Sequence, residues 1–155
     1  MSRINTALIG RAGEMMVAAE LMRRGIEIAH PASDVGVDLL AYRLDPGVRT
    51  ARKFVPIQVK AFSGTGYRFL KTWFDRAPDL TLVLVNGLAT TPKFYVFGGL
   101  SDIEAAIGGH ALTPSWSKRG IWSATDLSGP DAGLLLPHRD RWERITDQLA
   151  LPAND

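Results

Sequence analysis

Two short stretches decide how this chain is read: Gly36-Val37-Asp38-Leu39-Leu40-Ala41 and Val55-Pro56-Ile57-Gln58-Val59-Lys60-Ala61. In an extended strand, side chains alternate between faces. Val55, Ile57, Val59 and Ala61 then share one face, an apolar row that calls for burial. Phe54, Pro56, Gln58, Lys60 and Phe62 share the other, so Gln58 and Lys60 project side by side. A lysine at that place is either solvated at a sheet end or held for a purpose. The stretch around Asp38 reads as a second strand, joined to this one by a polar loop with Asp45-Pro46-Gly47 as its turn signal. A turn centred near Val48 sets Asp38 opposite Gln58. A turn at Pro46-Gly47 shifts the register by a few residues. In either register Asp38 can share a face and a neighbourhood with Gln58 and Lys60.

A carboxylate, an amide oxygen and an ammonium thus converge near the end of a sheet. Hard oxygen ligands suit Mg²⁺, with Mn²⁺ as a substitute. The ammonium stabilises developing negative charge or helps to position and deprotonate an attacking water. Such a set is a workable kit for hydrolysing a phosphodiester. A third acid comes from an N-terminal helix. Glu14 sits there among Gly10, Gly13, Met15, Val17 and Ala18, with Arg11 at i−3 and no lysine at the preferred spacing. Glu20 has Arg23 and Arg24 at i+3 and i+4, and a surface ion pair accounts for it.

Working outward, the first helix is predicted over residues 5–24, with Leu8, Ala12, Met15, Met16, Ala19 and Met22 at helical spacing and Gly25 as its stop. Strands are predicted over 26–29, 37–42, 54–62, 80–85 and 94–97. A short helix follows over 102–107, with Ser101 as N-cap and Glu104 three residues on. A C-terminal helix is expected over 140–149. This order describes a mixed α/β domain in which helices cover a central sheet. No repeat or composition break divides it, so residues 1–151 form one domain and 152–155 a frayed end.

Composition narrows the chemistry. The chain has 155 residues, 46% hydrophobic and 22% charged, which excludes a disordered chain. No apolar run is long enough to span a membrane and the N-terminus lacks a signal-peptide core, so the expected location is cytoplasmic. It has no cysteine, which removes disulfides, thiol catalysis and Cys-held metals. Its three histidines stand far apart, each beside Pro or Gly, and suggest no His-based site. No Gly-X-Ser-X-Gly supports acyl hydrolysis. Residues 1–72 hold 11 Lys/Arg against 6 Asp/Glu, so this half is basic and suited to a polyanion.

Gly13-Glu14 on a first helix ending Glu20-Leu21 and Arg24-Gly25, then Gly36-Val37-Asp38, then Ile57-Gln58-Val59-Lys60, resembles the PD-(D/E)XK nuclease superfamily. The layout is similar to the archaeal Holliday-junction-resolvase-type branch and to small bacterial and homing endonucleases with a Gln-X-Lys variant. The resemblance covers about residues 8–62. It implies a restriction-endonuclease-like core, with a central mixed β-sheet flanked by helices, and a divalent-metal-dependent DNA endonuclease. Asp38 and Gln58 would bind Mg²⁺, Glu14 would assist the metal shell, and Lys60 would act at the water or the scissile phosphate. DNA, branched DNA included, would be the partner, and a homodimer would suit paired cuts. Gln58 departs from the family's usual acid. It lowers the expected metal affinity and leaves room for a degenerate module that binds nucleic acid or a protein without cutting. Asp34, near the usual first acid, fits the motif less well than Asp38.

Further basic and polar residues are candidate DNA contacts. Arg43, Arg49, Arg52 and Lys53 are expected in the hairpin loop. Ser63 opens the Ser63-Gly64-Thr65-Gly66 turn, whose N–H groups would cradle a phosphate, with Arg68 and Lys71 along the same groove. Lys118 and Arg119 lie between Trp116 and Trp122, which either stack on bases or anchor a loop to the core.

Overall fold

The structure is a computed structural model and describes residues 5–33, 35–124 and 132–151, except the side chains of Arg52 and Ala132. Asp34, the Arg52 side chain and the expected frayed end at 152–155 lie outside the described residues.

Chain order is helix α1 (Thr6–Met22), strands β1 (Glu27–Ala29), β2 (Leu39–Leu44), β3 (Ala51–Ala61) and β4 (Tyr67–Leu70), a 3-10 turn at Lys71–Phe74, then β5 (Thr81–Asn86) and β6 (Lys93–Phe97). After these come α2 (Leu100–Ile107), the single turn α3 (Pro114–Ser117), β7 (Ile121–Ala124), α4 (Ala132–Leu135) and α5 (Glu143–Thr146). Five strands form a mixed sheet in the order β1-β2-β3-β5-β6, in which only β3 and β5 run parallel. Strands β4 and β7 pair as a separate antiparallel ribbon. The α/β class and the central mixed sheet flanked by helices are as the sequence reading expects.

The β2–β3 hairpin pairs Leu39 with Ile57, Leu40 with Pro56 and Ala41 with Val55, the register of a turn centred near Val48, with a shift between Tyr42 and Leu44. The pairing extends further than predicted at the loop end. Arg43 therefore lies in β2, and Arg52 and Lys53 lie in β3. Arg49 remains in the loop, with φ +54°.

The central sheet separates two apolar cores. On one side Val55, Ile57 and Val59 of β3 pack with Val83 and Val85 of β5, Val17 and Leu21 of α1, and Trp142, Ile145 and Leu149 near the C-terminus. On the other side Leu82 and Leu84 of β5 join Tyr67, Phe69 and Trp122 of the ribbon, Ile103 and Ile107 of α2, and Trp116. Both tryptophans are buried anchors, which excludes the alternative of bases stacking on them. β5 is buried along its whole length because it faces both cores, hence its unbroken apolar run.

Three local expectations are corrected. The ribbon was not predicted; its signal is the alternation of buried Tyr67 and Phe69 with exposed Arg68, and of buried Trp122 and Ala124 with exposed Ile121 and Ser123. The helix α2 begins at Leu100 after Gly99, and Ser101 does not cap it. Instead Asp102 accepts the Gly98 N–H at 2.7 Å. The apolar residues whose spacing predicts α1 are not the ones it buries: Leu8, Met15, Met16 and Met22 are exposed, and Gly13, Val17, Ala18 and Leu21 face the sheet.

Gly13 explains that rotation. A Cβ there would lie 2.5 Å from the Ala61 Cβ, so glycine lets the α1 backbone rest directly on β3. Gly13→Ala should therefore lose about 1–2 kcal/mol, because overpacking outweighs the gain in helix propensity. Gly10→Ala, with open space at its Cβ position, should gain about 0.5–1 kcal/mol. Urea unfolding of both variants measures the opposite signs.

The C-terminal segment is pinned by a buried imidazole. His138 stacks on Phe97 with ring centroids 4.5 Å apart, and its Nδ1 accepts from Arg144 at 2.6 Å. Arg144 also donates to the Val96 carbonyl at 2.7 Å and lies 3.1 Å from Asp102. Burial, and then the Arg144 charge, hold His138 below its ordinary value of 6.5. The folded protein thus keeps the ring neutral where the unfolded chain protonates it, and stability falls as pH drops through that window. Melting temperature should decline from about pH 7.5 to about pH 5, and His138→Gln should flatten the decline.

Candidate functional site

Gly36 adopts φ +83°, a conformation that favours glycine, and leads the chain into Val37 and Asp38. The Asp38 N–H donates to the Ile57 carbonyl at 2.9 Å. The Asp38 carboxylate accepts the Val59 N–H at 2.6 Å. Val59 stands between Gln58 and Lys60, so the carboxylate is bound to the backbone midway between the two polar side chains.

Asp38 and Glu14 line one cavity of about 290 Å³, together with Arg11, His30, Pro31, Ala32, Ser33 and Val37. α1 supplies Arg11 and Glu14, and their side chains form an ion pair at 2.8 Å. Glu14 is therefore partnered by the Arg11 at i−3. Glu20 pairs with Arg23 and Arg24 as expected, and these arginines hold its carboxyl below the ordinary range. His30 was missed in the sequence. The signal is the β1–β2 pairing: Ala29 faces Leu40, so the residues just after β1 run alongside those just before β2.

Gln58 and Lys60 lie on the opposite face of β3 from Val59, paired in register with Leu82 and Leu84. Gln58 is 5% exposed, and its Oε1 is buried without a hydrogen-bond partner. It lines a second cavity, of about 450 Å³, with Val35, Gly36, Thr72, Trp73, Asp75 and Arg76. Lys60 is half-buried, its Nζ 5.1 Å from the centre of the Trp73 ring. Trp73 is thus a cation–π partner as well as a packing residue.

The structure brings Asp38 and Glu14 to one cavity and Gln58 to the next, beside Trp73 and Lys60, so Asp38 does not share the face that the hairpin reading expected it to share with them. The Asp38–Val59 bond links them. Among the described residues, no three His, Asp or Glu side chains are grouped to hold a metal. An oxygen-rich set here includes the Gln58 amide.

The other polar candidates are spread more widely. Arg49, Lys53, Lys118 and Arg119 are exposed. Lys71 lies 3.3 Å from Glu104 and above the Trp116 ring, so it ties the 3-10 turn to α2. The carbonyls of Ser63 and Gly64 accept from Ala89 and Gly87, and Asn86 Nδ2 donates to Thr65 and Gly66, which fixes the turn against the end of β5. No helix among the described residues is long and apolar enough to cross a membrane.

The fold has a counterpart among solved structures. A bacterial homing endonuclease, I-Ssp6803I, superposes with a TM-score of 0.55 at 17% identity, over 95% of each chain. The two chains thus share a fold. No protein-family model and no curated protein matches the sequence.

An unpartnered buried oxygen costs about 1–3 kcal/mol. Gln58→Met keeps the volume and removes that oxygen, so it should raise stability by about 1 kcal/mol in urea unfolding. A clear loss would mean that the amide serves the fold.

Proposed function

We propose that this protein is a divalent-metal-dependent DNA endonuclease of the PD-(D/E)XK type. The observation that carries the reading is the Asp38 carboxylate fixed to the Val59 N–H, between Gln58 and Lys60 on a central strand of a nuclease fold. Support for a hard cation comes from the buried Gln58 Oε1, which lacks a hydrogen-bond donor and is the kind of oxygen such an ion takes up. Asp38 and Gln58 would hold Mg²⁺, or Mn²⁺ in its place, with help from Glu14. Bound there, the ion would supply Lewis-acid charge neutralisation and a more acidic water.

The chain's own groups have distinct tasks in this reading. The Val59 N–H orients the Asp38 carboxylate before any ligand arrives, which lowers the ordering cost of binding. Arg11 positions Glu14 through their ion pair. Lys60 offers a positive charge to the oxygen on which negative charge develops, while Trp73 limits where that ammonium sits. Gln58 in place of an acid leaves the site one negative charge poorer, so metal binding is expected to be weak. Exposed Arg49, Lys53, Lys118 and Arg119 would add salt-dependent contacts to phosphates.

The test is cleavage of supercoiled plasmid, linear duplex and four-way-junction DNA in Mg²⁺ or Mn²⁺. Asp38→Ala and Lys60→Ala should each reduce cutting at least about 100-fold while the variants remain folded. A folded Lys60→Ala protein that cuts at the wild-type rate would refute the assignment. Metal-independent DNA binding without cutting by the wild type would identify a degenerate binding module instead.

A further inference from the structure

The helix α1 is apolar on both sides. Val17 and Leu21 face the sheet, and Leu8, Ala12, Met15, Ala19 and Met22 run along the opposite surface. Leu8 is 67% exposed, Met15 62%, Met22 57% and the neighbouring Met16 37%. A helix that is hydrophobic all round is normally buried all round. The outer residues are spaced 4, 3, 4 and 3 apart, the interval of a coiled-coil seam. No residue of the seam is charged, and large side chains alternate with alanines along it.

That alternation makes the seam complementary to itself in one direction. We propose that it pairs with the α1 of a second copy of this chain, antiparallel and about a two-fold axis near Gly13–Glu14. Leu8 then sits opposite Ala19 of the second copy and Ala12 opposite its Met15, with the reciprocal contacts repeated across the axis. The Leu8 and Met15 layers each set a large side chain against an alanine, the arrangement that interdigitates without voids, and Met22 meets the N-cap end of the second copy at Asn5. Arg11 falls opposite Met16 of the second copy, so no like charges meet there.

The area is sufficient. At roughly 200 Å² for a whole Leu or Met, the exposed fractions leave roughly 450 Å² on each copy. Two such faces cover roughly 900 Å² before Ala12, Ala19 and the arginine stems are counted, which brings the total to the ~1,000 Å² that a specific interface needs. The contact is isologous and closes on itself as a dimer. It stands independently of the nuclease reading, because the seam lies opposite the helix face that packs on β3.

Sedimentation equilibrium tests the assembly. The wild type should be a dimer, and Met15→Glu should be a monomer that keeps the wild-type far-UV circular dichroism and a cooperative melt, at a somewhat lower temperature because the stabilisation by association is lost. Cysteine pairing tests the direction, because the chain has no thiols of its own. Leu8→Cys mixed with Ala19→Cys should form a mixed disulfide on mild oxidation, and Leu8→Cys alone should not cross-link. A monomeric wild type, a dimeric Met15→Glu protein or self-linking of Leu8→Cys would each overturn the proposal.

Discussion

The hydrogen bond from the Val59 N–H to the Asp38 carboxylate is the point on which the two halves of the sheet and the candidate site meet. Paired residues of β2 and β3 begin at Leu39 and Ile57, and Val59 lies two residues beyond them. Its N–H would otherwise be a buried donor at the end of a ladder, and leaving such a donor unmet costs about 1–3 kcal/mol. A side chain completes the pairing instead of another strand residue. The same bond fixes the direction of the carboxylate, so a requirement of the fold also orients a chemical group.

Strand β3 has two unlike faces, and each constrains the other. Val55, Ile57 and Val59 anchor it against α1, where Gly13 allows helix and strand to touch. That anchoring turns Gln58 and Lys60 toward the second core, beneath the β4–β7 ribbon and the Trp73 turn. Placing an amide and an amine there opposes local stability: the Gln58 oxygen is left without a donor, and Lys60 is half-buried. A sequence tends to break local packing rules where function requires it. The proposed metal and phosphate roles give this breach a purpose that packing alone does not.

Much of this was legible in the residues. Alternation along residues 54–62 identified the two faces of β3, and of the two hairpin registers open to the sequence the one about Val48 is the one observed. Other features depend on contacts between distant segments. The outward turn of Leu8, Met15 and Met22 follows from the close approach of Gly13 to Ala61, which helical periodicity alone does not reveal. His30 joins the Asp38 cavity only once β1 pairs with β2. The β4–β7 ribbon joins residues more than fifty positions apart, and each strand is four residues long. In a single sequence such short alternations blend with the glycine-rich turn before one and the basic loop before the other.

The central claim is that Asp38 and Gln58 together hold a divalent cation. The most direct measurement is the melting temperature of the protein with and without Mn²⁺, for the wild type, Asp38→Ala and Gln58→Ala. The account predicts that Mn²⁺ raises the melting temperature of the wild type, that Asp38→Ala abolishes the rise and that Gln58→Ala reduces it. A wild-type protein indifferent to Mn²⁺, or a rise that persists in full in Asp38→Ala, would contradict it.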